Sequence, residues 1–269
     1  MPTTPTPSPT PGASSSLHAE TRGTGPRLVM AHGFTQTSRV WAGMDDLLAR
    51  DHEIVSVDMP GHGRSAAVRS TLVDGALQLG AAGGRAAYLG YSMGARFCLH
   101  LALARPQLVS SLVLISCTAG IDDPGERLGR RVSDGGLADR LDPPTADRPG
   151  QPVGEFLRAW MDNPMFAGVA PEAGGLDERM RNTGPGLASS LRLAGTGAQL
   201  PRWAMLDRLT MPVLVVWGEQ DEKFAALGHR LAAAIGPNAT TAVVAGAGHA
   251  PHLQVPDTVA ALVHSHLDP

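Results

Sequence analysis

The sequence predicts an α/β domain with a mostly parallel sheet, helices on both faces and a helical cap insertion. Three observations carry this. Short unbroken apolar runs alternate with stretches whose apolar residues fall at helical spacing, and unbroken runs belong to strands buried on both faces. From residue 121 to about residue 209 the alternation stops, and helical segments follow one another with no convincing strand. At residue 212 it resumes and continues to the last helix. The expected division is a flexible tail over 1–16, an α/β core over 17–120 and 210–269, and a helical cap over 121–209.

The elements follow in order. Residues 1–16 are rich in Pro, Thr and Ser and hold no basic-then-apolar signal pattern. Arg27-Leu28-Val29-Met30-Ala31 is a buried strand that runs into His32-Gly33-Phe34. Residues 40–50 predict an amphipathic helix with Trp41, Met44, Leu47 and Leu48 on one face. Glu53-Ile54-Val55-Ser56-Val57 is the next strand, and it ends in a Pro- and Gly-rich turn, Asp58-Met59-Pro60-Gly61-His62-Gly63-Arg64-Ser65. A helix over 72–82 precedes the strand Ala86-Ala87-Tyr88-Leu89, a helix over 95–104 follows it, and Leu112-Val113-Leu114-Ile115 is the strand after that. In the insertion, helices are expected over 126–134, 153–162, 176–181 and 186–194. Beyond it come the strand Pro212-Val213-Leu214-Val215-Val216-Trp217, a helix over 224–235, the strand Thr241-Ala242-Val243-Val244 and a helix over 257–266.

The chemistry concentrates at Gly90-Tyr91-Ser92-Met93-Gly94. The motif lies between a strand and a helix, the setting that turns G-x-S-x-G from a glycine-rich turn into a nucleophile elbow. There a serine on a sharp turn presents its hydroxyl above the sheet, and the flanking glycines let strand and helix pack closely. The N–H of Met93, at the helix start, can face a developing oxyanion. Asp221 and His249 each fall in a loop just after a strand, so all three meet at one sheet edge. In that trio His249 takes the Ser92 proton, and Asp221 fixes the imidazole tautomer. Glu219 is the competing acid, and Asp221 has the usual spacing from Gly218. His62 is read as packing in its own loop. The His249-x-x-His252 pair lacks a third ligand nearby, so no metal is expected.

Composition narrows the partners. The net charge of −3 argues against nucleic acid. No apolar stretch is long enough to span a membrane. Cys98 and Cys117, the only cysteines, lie in apolar segments and fit a reducing, cytoplasmic setting. Of the 22 basic residues all but Lys223 are arginine, so an arginine by itself says little.

With these residues in view, the chain resembles the α/β-hydrolase superfamily over nearly its whole length after residue 16. More narrowly it is similar to the 2-succinyl-6-hydroxy-2,4-cyclohexadiene-1-carboxylate synthases, the pyruvate-eliminating enzymes of menaquinone biosynthesis. His32-Gly33-Phe34, the Asp58 to Gly63 turn, the elbow with Ala95 and Arg96, and Gly246-Ala247-Gly248-His249 carry the broad likeness. The cap stretches are more telling. They are Arg130-Arg131-Val132-Ser133-Asp134, Trp160 to Phe166, Arg179, Gly186-Leu187-Ala188-Ser189-Ser190-Leu191-Arg192 and Gly195-Thr196-Gly197. Gly218-Glu219-Gln220-Asp221-Glu222-Lys223-Phe224 adds to them. The chain departs from the family at Ala95, a common glycine, at Met59, a common leucine, and in an expanded Pro/Gly-rich stretch over 142–154.

The resemblance implies a Ser92, Asp221 and His249 triad and an oxyanion hole from the backbone N–H groups of Phe34 and Met93. It implies that Arg96, Arg130 and Arg179 bind substrate carboxylates and that Tyr91, Trp160 and Phe166 line the pocket. Planar bidentate donors suit a polycarboxylate. The implied reaction is elimination: the triad abstracts a proton, the anion is stabilised and pyruvate leaves, with no cofactor and no obligatory acyl-enzyme. The expected protein is a monomer or homodimer acting on a small molecule. A carboxylesterase or C–C bond hydrolase with the same triad is the alternative, and three arginines facing Ser92 would argue against it. A non-catalytic small-molecule binder of the same fold has no need of an intact triad.

Overall fold

The computed structural model describes residues 16–41, 43–145 and 150–268. The expected tail over 1–16 lies outside the described residues except for Ser16, as does part of the expanded 142–154 stretch.

Seven strands form one sheet: β1 (Ala19–Arg22), β2 (Arg27–Ala31), β3 (Glu53–Val57), β4 (Ala86–Tyr91), β5 (Val109–Ile115), β6 (Val213–Gly218) and β7 (Ala239–Val244). Their order is β1-β3-β2-β4-β5-β6-β7, and every pairing is parallel except β1 with β3. The elbow strand β4 is central and buried along its whole length. Edge strand β1 was not expected: Ala-Glu-Thr-Arg is short and polar, and only pairing with β3 makes it a strand.

Helices cover both faces. α1 (Met44–Leu48) and α11 (Pro256–Leu267) pack on one side, where Met44, Leu48, Val259 and Val263 meet Leu28, Met30 and Val113. α2 (Leu72–Gly83), α3 (Met93–Ala104) and α9 (Glu222–Ile235) cover the other, with Leu79, Phe97, Leu101 and Leu231 in the core. α2 starts where the Thr71 side chain accepts from the Asp74 N–H and stops at Gly84, whose φ is 69°. The single helix expected over 40–50 is two pieces. A 3-10 turn over Ser38–Trp41 gives way to α1 because Gly43, at φ 93°, breaks the path.

Between β5 and β6 the described residues hold no strand. α4 (Pro124–Leu141), α5 (Val153–Met161), α6 (Pro171–Gly174), α7 (Leu176–Arg179) and α8 (Gly184–Ala194) follow in turn. α4 begins with Asp123 capping the Glu126 N–H and Pro124 at its first position. It runs to Leu141, well past the expected end at 134, because Ala138 and Leu141 join a small core of their own with Phe156, Leu157, Leu187 and Leu191. The last short helix, α10 (Pro251–Gln254), follows the loop after β7. No helix among the described residues is long and apolar enough to cross a membrane.

Candidate active site

Ser92 stands between β4 and α3 with φ 50° and ψ −104°, a conformation that costs a non-glycine residue energy. The glycines around it permit the turn. A Cβ on Gly94 would strike the Ala31 carbonyl, and one on Gly90 would strike the backbone of Ala95. The serine hydroxyl therefore rises above the carboxyl end of the sheet instead of folding back onto α3.

Asp221 caps α9: one carboxylate oxygen accepts from the Phe224 N–H at 3.2 Å. Its other oxygen lies 2.7 Å from His249 Nδ1. A carboxylate only accepts, so Nδ1 carries the proton and Nε2 is left to accept. That Nε2 lies 3.3 Å from Ser92 Oγ. The imidazole is 3% exposed and wedged among rings, with Phe224 at 4.4 Å, Tyr91 at 5.5 Å and Phe166 at 6.4 Å between centroids. The Ser116 hydroxyl, donating to the His249 carbonyl at 2.8 Å, fixes its backbone. The rival acid Glu219 turns away and accepts from the Gly246 N–H at 2.9 Å.

Ser92, Asp221 and His249 open into a cavity of about 530 Å³. Phe34, Met93, Arg96, Arg130, Trp160 and Lys223 are on its wall. Met93 opens α3, so its N–H belongs to the first turn, where no intrahelical acceptor exists. Phe34 packs edge to face on Trp160 at 5.1 Å, so α5 meets the loop after β2 across the cavity.

The three arginines divide. Arg96, one turn past Ser92, is buried, and its Nη1 donates to the Ala194 carbonyl at 2.8 Å and to Gln199 Oε1 at 3.3 Å. Burial pulls its guanidinium down to about 10, which leaves it charged at neutral pH. Arg130 reaches the same cavity from α4 but is bonded through Nε to Asp134 Oδ1 at 2.7 Å. Asp134 is itself buried and accepts from the Gly197 N–H. Arg179 is not on this wall. It is 2% exposed and lies on a second cavity of about 430 Å³ with Gln36 and His252. Its Nε donates to the Gly174 carbonyl at 2.6 Å and its Nη1 to the Thr35 hydroxyl. Nη2 has no hydrogen-bond partner among the described residues. Left-handed Gly175, at φ 63°, joins α6 to α7, the helix that carries Arg179.

The aromatic residues divide as well. Trp160 is on the wall of the Ser92 cavity. Tyr91 and Phe166 are buried behind it, Tyr91 against His252 at 4.1 Å and Phe166 against Trp160 at 6.3 Å.

Two histidines brace the loops instead of entering the site. His32 Nε2 accepts from the Met59 N–H at 3.0 Å, and His62 Nε2 accepts from the Thr35 N–H at 3.2 Å. His62 thus ties the 58–65 turn to the loop that carries Phe34. Asn182 adds to this brace by donating to the Thr35 carbonyl and accepting from the Gly63 N–H. His252 lies between Tyr91 and Trp41, and among the described residues the cluster of three possible metal ligands is His52, His264 and Asp268, away from both His249 and His252. Sequence reasoning gave no role to Asp134, Gln199, Asn182 or Lys223. Only Lys223 carried a signal, as the sole lysine.

A family model described as the alpha/beta hydrolase family matches residues 28–262. The chain belongs to the alpha/beta hydrolase family. A protein of Bacillus subtilis (strain 168), provisionally named a 2-succinyl-6-hydroxy-2,4-cyclohexadiene-1-carboxylate synthase, is 32% identical over 245 residues, 85% of each chain. An Enterobacter sp. (strain 638) protein carrying that enzyme name is 30% identical, over 88% of this chain and 89% of its own. Among solved structures, MenH from S. aureus superposes with a TM-score of 0.82 at 25% identity, over 93% of this chain and 97% of that one. This alpha/beta hydrolase is an enzyme of the fold those proteins share.

Proposed function

We propose that this alpha/beta hydrolase is a lyase of menaquinone biosynthesis that eliminates pyruvate to give 2-succinyl-6-hydroxy-2,4-cyclohexadiene-1-carboxylate. The observation that carries the reading is the pairing of a Ser92–His249–Asp221 relay with Arg96 and Arg130 on one cavity wall. The named relatives supply the substrate.

Each part has a task in that reaction. Ser92 Oγ takes the acidic C–H proton of the substrate as its own proton passes to His249 Nε2. Asp221 stabilises the imidazolium so formed. Negative charge develops on the substrate carbonyl oxygen, where the Phe34 and Met93 N–H groups can receive it. The electron pair moves through the ring, the bond from the ring carbon to the pyruvyl oxygen breaks, and the enolate that leaves takes up the proton carried by His249 to become pyruvate. Arg96 and Arg130 hold carboxylates of the substrate. The helices over 121–209 act as a cap that keeps water from the anion. Arg179, facing the second cavity, stands outside this carboxylate set as the chain is folded here.

One observation favours ester or C–C bond hydrolysis instead. Asp134 already neutralises Arg130, so the wall offers fewer unengaged cations than a polycarboxylate pocket would use. Pyruvate release from the family's substrate, followed beside hydrolysis of a small neutral ester, tests the lyase reading. Ser92→Ala should lower pyruvate release by at least about a hundredfold, the range for losing a general acid–base group. Wild-type turnover in a folded Ser92→Ala variant would remove the hydroxyl from the mechanism. Ester hydrolysis without pyruvate release would replace the lyase by a hydrolase.

A further inference from the structure

We propose that Lys223 is a further carboxylate-recognising cation of the Ser92 cavity, beside the arginines, and adds to its selectivity for anionic substrates, a role that rests on the lyase reading and extends it. Lys223 is on the cavity wall and exposed, which places it at the rim. Its surroundings make it unlike the other cations there. Arg96 is held by the Ala194 carbonyl and Gln199, and Arg130 by Asp134. Lys223 has no carboxylate within ion-pair distance among the described residues. Its ammonium lies 6.0 Å from the Phe224 ring, which also packs against the His249 ring at 4.4 Å.

The wall holds one more cation than it has carboxylates, and of the three cations Lys223 is the one with no hydrogen-bond acceptor among the described residues. Arg96, Arg130 and Lys223 stand against Asp134 and Asp221, so the cavity is electropositive with Lys223 and balanced without it. Local structure does not call for a lysine here. Lys223 is the second residue of α9, the end at which the helix dipole disfavours a cation. Composition does not call for one either, since every other basic residue in the chain is arginine. A lysine does suit the position chemically. Its ammonium on a flexible stem can meet a carboxylate as it arrives, whereas a guanidinium would present a rigid two-pronged fork two residues from the Asp221 carboxylate. Lys223 leaves that carboxylate to His249, with which Asp221 is paired.

The test titrates wild type, Lys223→Ala and Lys223→Arg with 3-(2-carboxybenzoyl)propionate, a keto-dicarboxylate, and with its uncharged dimethyl ester. Steady-state pyruvate release is measured on the same proteins at several salt concentrations. Lys223→Ala should weaken dicarboxylate binding by about tenfold, the lower end for a hydrogen bond to a charged group, and leave binding of the diester within twofold. KM should rise far more than kcat falls, and the dependence of kcat/KM on salt should flatten. Lys223→Arg should recover only part of the binding, because its guanidinium also meets the Asp221 carboxylate. Equal dicarboxylate affinity in wild type and Lys223→Ala, equal losses for diester and diacid, or no binding of the dicarboxylate by wild type each overturns the proposal. The titration involves no turnover, so the two readings separate. A wild type that binds the dicarboxylate through Lys223 but releases no pyruvate refutes the lyase and keeps the role of Lys223. Pyruvate release with unchanged binding and KM in Lys223→Ala does the reverse.

Discussion

Arg96 is the residue on which substrate selectivity is most open to measurement. Its place one turn past Ser92 follows from helix spacing alone, but its burial and its bonds to Ala194 and Gln199 do not. Those two acceptors are neutral, so the guanidinium keeps its full charge for a ligand. Each charged hydrogen bond it makes should contribute roughly 1.5–3 kcal/mol. Arg96→Ala is expected to lower activity on an anionic substrate by about ten- to a hundredfold while changing ester hydrolysis little, measured as kcat/KM for each. Arg96→Lys should recover only part, because an ammonium lacks the planar fork. Equal losses on both substrates would reduce Arg96 to a tether for the chain after α8. The same scale shows what the sequence could display. Ser92, Asp221 and His249 are legible because each lies within five residues of a strand's end, where a parallel sheet gathers its loops. Arg179 is not legible: its contact with Thr35 exists only after the insertion has packed on the loop behind β2.

Among the elements, the join of β4 to α3 is the least tolerant of change. The helix packs on β2 so closely that Gly94 has no room for a methyl group beside the Ala31 carbonyl. Backbone cannot move aside as a flexible side chain can. Gly94→Ala is therefore expected to destabilise the fold by at least about 2–3 kcal/mol, in the range of overpacked cores. Urea unfolding of the variant beside wild type would show it, and an unchanged midpoint would mean that strand and helix separate easily. The strands and helices of the core were legible because buried parallel strands are unbroken apolar runs. β1 was hidden because an edge strand needs no apolar signature. The break at Gly43 was hidden because its neighbours keep helical spacing on either side. The length of α4 was hidden because Ala138 and Leu141 gain their apolar surroundings only from α5 and α8.

On the scale of the whole molecule, the histidines that brace the active-site loops tie stability to pH. His32 and His62 are fully buried, and burial is the main cause that lowers them to about 4 and about 3. The Asp58 carboxylate nearby works the other way, too weakly to reverse it, and Arg179 adds to the lowering. An unfolded histidine titrates near 6.5. As pH falls below that value, the unfolded chain takes up protons that the folded chain refuses, so stability is complete above about pH 6.5 and declines as the solution is acidified towards 4. At pH 5 the loss should be about 2 kcal/mol for each of the two histidines. Activity of the folded enzyme should hold over this range, because folded His62 stays neutral until the pH nears 3 and goes on accepting from the Thr35 N–H, so acid acts on the amount of folded protein and not on the loop bearing Phe34. His62→Gln separates this from general acid unfolding. The variant should be less stable than wild type at pH 7, but its further loss between pH 7 and pH 5 should be smaller by about 2 kcal/mol, read from urea unfolding at both values. Parallel losses in the two proteins would show that the acid sensitivity arises elsewhere than in this histidine brace.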